Sequence, residues 1–327
     1  MITIINFLFA AIKAGAPLLL GTTGEIVTEK SGSLNLGVEG MMYMGAIGGF
    51  YMGLRTNSVL IALLSAFATG AFGALIYAFI TVTLQANQNV TGLTLTIFGT
   101  GFANFFGEML IKNTPSGTPK LSSEFSAKLS EKAIPVLSDI PYIGKLLFSH
   151  NYLVYFSIIV ALLCWAYIKY TRFGLNMRFV GENPAAADAS GLSVNRIKYI
   201  NILIGGGICG LGGAYISLIN GGGVWNNGAV NGQGWIAVAL VIFASWSPAK
   251  AIIGSLIFGA FSVFQFRAAD FAALFRPLGF LTSIPAAFYN MLPFVLTAVV
   301  LIVTSMRKRK GGGQPASCGV NYFREER

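Results

Sequence analysis

The sequence predicts an all-α polytopic membrane protein with eight to nine transmembrane helices and a short cytoplasmic helix between two of the crossings. Three observations carry that prediction. Of the 327 residues, 54% are hydrophobic and only 10% charged, with a mean hydropathy of +0.68, against about 25% charged in a soluble globular chain. Eight or nine apolar runs approach the roughly 20 residues a helix needs to cross a bilayer. The Lys and Arg residues gather in two stretches instead of covering a wet face, so the net charge of +10 marks membrane sidedness and argues against nucleic acid as a partner.

In chain order the apolar runs fall at 3–23, 38–54, 58–84, 90–111, 151–170, 199–219, 233–248, 250–267 and 289–306. The first has no basic cluster ahead of it and no small-residue cleavage site leading to a soluble domain, so it reads as a membrane segment and not a removable signal. Residues 112–150, rich in Ser, Pro and Lys, suit an external loop. Lys169, Arg172, Arg178, Arg196 and Lys198, with Arg307, Lys308, Arg309, Lys310, Arg324 and Arg327 in the tail, make up 11 of the 22 basic residues. Both stretches are therefore expected in the cytoplasm. The four runs between them return the chain to the same side. Counting back puts 112–150 outside, 24–37 inside and the amino terminus outside, although Lys13 and five lysines in the external loop run against the rule. The domain reading is one transmembrane unit over 1–306, with an external loop at 112–150 and a cytoplasmic loop at 171–198, then a basic cytoplasmic tail over 307–327.

Gly205, Gly206, Gly207, Gly210, Gly212 and Gly213 leave most of one helix turn after turn without side chains. This fits close helix packing, or else a hinge that unwinds during movement. Gly221–Gly223 suit the external turn that follows.

Polar residues at membrane depth are functional flags because each charge there costs about 2.5–3.5 kcal/mol on insertion scales. The run from Gly24 to Gly40 contains Glu25, Glu29, Lys30, Asn35 and Glu39. It reads either as an internal loop capping the next helix, with Glu39 near that helix's positive end, or as a broken-helix segment lining a cavity. A second group runs from Gln85 through Asn87, Gln88, Asn89, Thr91 and Thr94 to Asn104 and Glu108. Its amides and hydroxyls suit a neutral polyhydroxylated or heterocyclic solute or simple interhelical hydrogen bonding. Gln265, Arg267 and Asp270 form a third set, in which the i, i+3 Arg–Asp spacing suits a surface ion pair.

No Gly-x-x-x-x-Gly-Lys-Ser/Thr sequence is present to cradle nucleotide phosphates, and the single histidine, His150, precludes a His-Glu-x-x-His pair. Cys164, Cys209 and Cys318 lack metal or disulfide spacing. No enzymatic activity, metal or cofactor is expected. A passive channel, a secondary carrier and the membrane subunit of a pump powered by a separate ATPase fit these features. Within the cytoplasmic loop, Asn183 suits a helix N-cap, Pro184 the first helical position, Ala185–Ala189 the body and Gly191 the carboxyl-terminal cap. A self-contained helix here suits docking to a cytoplasmic partner, with an interfacial helix as the alternative.

The stretch Gly181–Val194 resembles the cytoplasmic coupling segment of ABC importer permeases of the ribose and branched-chain amino acid class. Glu29-Lys30-Ser31-Gly32-Ser33-Leu34-Asn35-Leu36-Gly37-Val38-Glu39-Gly40-Met41-Met42 resembles the signature of that family. Asn89–Leu95, Gly232–Ala237, Trp246–Pro248 and Met291–Thr297 resemble further segments in the same order, so the likeness covers roughly 14–305. Within the class it is strongest to the second permease of nucleoside importers that work with basic-membrane-protein lipoproteins.

The resemblance implies an inner-membrane, multi-pass permease that imports nucleosides, purine nucleosides first among them. It implies four partners: a cytoplasmic ABC ATPase, a second homologous permease, an extracytoplasmic substrate-binding lipoprotein and the nucleoside itself. By the same resemblance Glu182, Asn183, Pro184, Ala187 and Gly191 would form the ATPase-coupling helix, and Asn35, Glu39, Thr91 and Asn104 would line the translocation path. A sugar or branched-chain amino acid permease is the neighbouring alternative. An ion-coupled secondary carrier and a non-transporting scaffold are the alternatives from other classes. The tail from Arg307 to Arg327 has no counterpart in the family pattern.

Overall fold

The computed structural model describes residues 2–132, 138, 140, 143–274, 284–306 and 313–323. Most of the described residues are helical; there is no strand among them, and one isolated antiparallel bridge joins Lys120 and Val224. The helices are α1 (Ile2–Lys30), α2 (Val38–Thr56), α3 (Val59–Ala78), α4 (Gln88–Lys112), α5 (Ser123–Lys128), α6 (Ile143–Phe148), α7 (Tyr152–Tyr170), α8 (Arg172–Glu182), α9 (Pro184–Ala189), α10 (Val194–Tyr215), α11 (Gln233–Phe243), α12 (Pro248–Leu274) and α13 (Ala286–Met306). One π-helical turn extends α3 over Phe79–Thr83 and another extends α10 over Ile216–Asn220.

Four of these stretches are long and apolar enough to cross a membrane: Thr3–Lys30, Val59–Thr83, Tyr152–Tyr170 and Val194–Asn220. Within the most apolar part of each, 83% of Val194–Asn220 is buried against 28% of Val59–Thr83. The helix centred on α10 is thus the core of the bundle, and α3 has a face left for lipid or a partner. Around α10 pack α1, α2 and α3, and α12 lies on the far side of α1.

The glycines of α10 explain how it occupies the centre. A methyl group on Gly213 would overlap the Met42 carbonyl, one on Gly45 would overlap the Gly210 backbone, and one on Gly24 would overlap the Gly205 carbonyl. Backbones meet where side chains are missing. The helix runs unbroken from Val194 to Tyr215, and close packing accounts for this glycine pattern in the conformation seen.

Two stretches differ in part from their sequence reading. The polar run 24–37, read as a loop or as a broken-helix segment, begins as helix: Gly24–Lys30 continue α1, which ends at Lys30 just before the left-handed Gly32 (φ +84°), and only 31–37 is irregular. A helix is tolerated there because Glu25 and Glu29 find partners inside the protein. The irregular part is itself largely buried, as non-helical backbone at membrane depth must be.

The second stretch is 233–248. Helix α11 has 11 residues, a length of about 16 Å at 1.5 Å per residue, which is short of a bilayer's hydrocarbon core. The chain nevertheless passes from one end of the bundle to the other. Gly223 lies by Leu121, the Trp225 ring packs tilted against Phe50 with centroids 5.4 Å apart, the Asn231 N–H meets the Tyr43 hydroxyl at 3.2 Å, and Ala237 reaches Gly21. Trp246 then donates to Glu29 near the end of α1. Half of this passage is therefore irregular backbone, because 221–232 is too rich in glycine to hold a helix. The turn at Gly221–Gly223 forms as expected, with Gly222 and Gly223 at φ +63° and +74°.

Candidate functional site

The irregular turn between α1 and α2 is organised by Asn35. Its backbone N–H donates to Glu25 Oε1 at 3.1 Å and its Nδ2 to Glu25 Oε2 at 3.0 Å, while its Oδ1 accepts from the Gly37 N–H at 2.9 Å. Asn35 and Glu25 are fully buried. One turn further along α1, Glu29 lies beside Glu25 and accepts from the Trp246 indole. The Tyr77 hydroxyl closes the site from α3 by donating to the Leu34 carbonyl at 2.5 Å.

Glu39 stands where two helices begin. It lies in the first turn of α2, and its carboxylate accepts from the Gly232 N–H at 2.7 Å and the Gly234 N–H at 2.6 Å. The positive ends of α2 and α11 thus converge on one buried carboxylate. Gly234 is required at this approach, since a Cβ there would fall on the Glu39 backbone.

Helix α4 packs along the same turn. Gly40 and Gly99 meet backbone to backbone, and Thr96 Oγ1 donates to the Leu36 carbonyl at 3.0 Å. Asn87 caps the helix by accepting the Val90 N–H at 3.1 Å, as its type and place suggest. Thr91 is nearly buried, its hydroxyl donates to the Asn87 carbonyl at 2.8 Å, and it lines a cavity of about 240 Å³ with Tyr77, Thr94 and Phe98. Thr94 likewise bonds its own helix, at Val90.

Of the four residues expected on a translocation path, Asn35, Glu39 and Thr91 gather around the α1–α2 turn. Asn104 does not join them: it lies 13 residues beyond Thr91 in α4, about 20 Å along the axis. Its Oδ1 is shielded with no hydrogen-bond partner among the described residues. Glu108 faces the outside of the bundle and accepts from Asn227 at 2.6 Å. Arg267 and Asp270 form the expected exposed ion pair at 3.0 Å, within α12. No group of His, Cys, Asp and Glu among the described residues is placed to hold a metal ion.

At the end of the bundle where α1 finishes, α8 and α9 lie side by side. Asn183 Oδ1 accepts the Ala186 N–H at 3.0 Å, Pro184 occupies the first turn, and Gly191 takes a left-handed conformation (φ +86°) while donating to the Asp188 carbonyl. Ala187 is the anchor of this short helix, buried against Val180 and Val194. Glu182 stays exposed, with Oε2 3.3 Å from the Ala316 N–H.

Two features went unread in the sequence. Glu25 and Glu29 share a helix face at i, i+4 spacing, a signal visible once 24–30 is treated as helix. Segment 313–323 packs across the end of α1, α8, α9 and the start of α4, and its Gly, Pro and Ser content carries no periodicity that would announce this. Residues 307–312 and 324–327, with all the basic residues of the expected tail, lie outside the described residues, as does the Gln265 side chain.

Residues 7–303 match the family described as branched-chain amino acid transport system / permease component. The chain is 32% identical over 311 residues to a protein of Haloferax volcanii provisionally named a glucose ABC transporter permease, covering 92% of both chains. It is 30% identical to the nucleoside ABC transporter permease of Lactococcus lactis (95% of this chain, 94% of that one). It is 32% identical to the guanosine ABC transporter permease of Bacillus subtilis (97% and 96%). No solved structure matches it. A family match over most of the chain, with full-length relatives of one kind, identifies a transport component of the inner membrane that has no enzymatic activity of its own and works with an ATPase and a substrate-binding protein. The chain belongs to the branched-chain amino acid transport system permease family and is a transmembrane permease subunit of an ABC transporter.

Proposed function

We propose that this permease imports nucleosides, purine nucleosides among them, as one half of a pair with a second homologous permease, fed by an extracytoplasmic binding lipoprotein. The observation that carries the reading is the likeness, across nearly the whole chain, to permeases named for nucleosides and guanosine. In this reading the chain makes eight to nine crossings, counting the irregular passage through α11 as one. Residues 112–150 lie outside, and 171–198 and the tail lie in the cytoplasm.

Helix α9 docks the ATPase. Its two caps make it a rigid unit held by Ala187, with Glu182, Asn183 and Pro184 on the side open to a partner. Closure of the ATPase on nucleotide displaces α9, and the α1–α2 turn with Asn35, Glu39 and Thr91 responds across the path. Asn104 belongs to a separate, outer part of that path.

The test is reconstitution of the complete importer in proteoliposomes, with guanosine, glucose and leucine uptake measured with and without internal ATP. Guanosine uptake that needs ATP and is competed by adenosine is the expected result. Charge reversal at Glu182, or Pro184→Ala, should lower uptake by about tenfold, the scale of a lost docking contact near 1.4 kcal/mol. A glucose ABC permease name stands among the relatives, so ATP-dependent glucose uptake without guanosine uptake would favour the sugar reading. Uptake by the permease alone under an ion gradient would overturn the class.

A further inference from the structure

The segment Gly313–Phe323 has no regular secondary structure, yet it makes specific contacts with four parts of the molecule. Against α8, the Ser317 N–H and Oγ both donate to the Gly181 carbonyl, at 3.0 and 2.6 Å, and the Ala316 N–H meets Glu182. Against α9, the Tyr322 hydroxyl donates to Asp188 Oδ2 at 2.9 Å, while its ring packs on the Val180–Ala187–Val194 cluster. Lys30 at the end of α1 donates to the Gly313 carbonyl at 3.2 Å.

The fourth contact is at the foot of α4. Asn321 Nδ2 donates to the carbonyls of Gln85 and Ala86, at 2.5 and 3.1 Å, and its Oδ1 accepts from Gln88 Nε2 at 3.0 Å. These carbonyls follow the π turn that ends α3, where backbone acceptors run out of helical partners and need another donor. Gln88 in turn accepts the Leu34 N–H at 2.7 Å, next to Asn35. Asp188, Tyr322, Asn321, Gln88 and Leu34 are thus joined in one continuous series from α9 to the α1–α2 turn.

We propose that residues 313–323 form a strap that transmits movement of α9 to the foot of α4 and the α1–α2 turn, with Asn321 and Tyr322 as positioning residues for transport. The proposal rests on α9 being the ATPase-docking helix. Without the strap α9 still docks and the ATPase still turns over, but its displacement reaches the path less completely. Side chains that bond to both elements convert a local shift into a shared one, because well-packed contacts have few intermediate arrangements.

The test compares wild type, Asn321→Ala and Tyr322→Phe in the complete importer, with guanosine-loaded binding protein as the probe. Tyr322→Phe keeps the ring packing and removes only the hydroxyl, so it should fold normally. Both variants should co-purify with the ATPase and hydrolyse ATP, while guanosine imported per ATP falls about threefold, in the range that changes along a coupling route produce. Amide exchange in Asn321→Ala should quicken both in α9 and at the start of α4. Unchanged import per ATP in both variants, or faster exchange in the tail alone, overturns the strap. A wild-type importer without ATP-dependent uptake would instead overturn the proposed function, and the strap with it.

Discussion

Asn35 satisfies both carboxylate oxygens of Glu25, one through its backbone N–H at 3.1 Å and the other through Nδ2 at 3.0 Å. This pair closes the α1–α2 turn inside the protein, with both residues fully buried. Glu25→Ala leaves two buried donors unpaired, at about 1–3 kcal/mol each. The expected outcome is a clear loss of thermal stability in detergent and little assembled importer in the membrane. Asn35→Ala keeps the backbone bond but leaves Glu25 Oε2 and the Gly37 N–H unpaired, so its loss should be of the same order. A melting temperature close to wild type in either variant would contradict this account of the turn.

Glu39 ties the starts of α2 and α11 together. Glu39→Gln keeps the shape but presents an NH₂ group to one of the two glycine N–H donors and removes the charge that two helix ends favour. A hydrogen bond to a charged group contributes about 1.5–3 kcal/mol, and a loss of that order is expected, with transport falling further than stability. Melting curves and uptake on the same preparation separate the two effects.

Asn183 holds the first turn of α9. Asn183→Ala removes a cap worth about 1 kcal/mol. The global melting temperature should hardly change, because α9 has six residues and one buried anchor, while amide exchange within α9 quickens and affinity for the ATPase drops. Gly191→Ala should act in the same direction, since φ +86° is strained for any residue with a Cβ. Normal ATPase affinity in both variants would detach α9 from docking.

Much of this was legible in the sequence because the signals were local. The Asn183-Pro184 start of α9, the glycine turn at 221–223 and the glycine face of α10 each depend on residues within one or two turns of one another. What was not legible depends on partners far along the chain. The polar run at 24–37 suggested a loop or a broken-helix segment because Glu25, Glu29 and Lys30 are costly at membrane depth when unpaired; Glu25 meets Asn35 across the turn, but the partners of Glu29 and Lys30, Trp246 and Gly313, are more than 200 residues away. The 233–248 run has the composition of a crossing, yet glycine-rich chain before it does half of the distance. The convergence of Glu39 on Gly232 and Gly234 needs the fold, and so does the docking of Asn321 on Gln85 and Ala86.

His150 supplies a pH-dependent term outside the membrane-spanning helices. It lies in the turn before α7, its ring stacked on Phe9 at 4.2 Å, with Nε2 2.8 Å from the Leu146 carbonyl and Nδ1 buried without a partner among the described residues. Burial holds its pKa below the ordinary histidine value. The Leu146 carbonyl and Glu131 pull the other way, and Lys13 adds to the lowering. The folded protein therefore binds fewer protons here than the unfolded chain. The contribution of a neutral His150 is fully present above the unfolded value of about 6.5 and is lost as pH falls from there toward the folded value. His150→Gln keeps an N–H for the Leu146 carbonyl and removes the titration. Melting temperatures of the purified permease, taken from about pH 7.5 down to about pH 5 across the histidine range, should fall more steeply for wild type than for the variant. Parallel curves would mean that His150 takes up its proton at the same pH in the folded and unfolded chain, and that the stacked, buried ring does not shift its protonation.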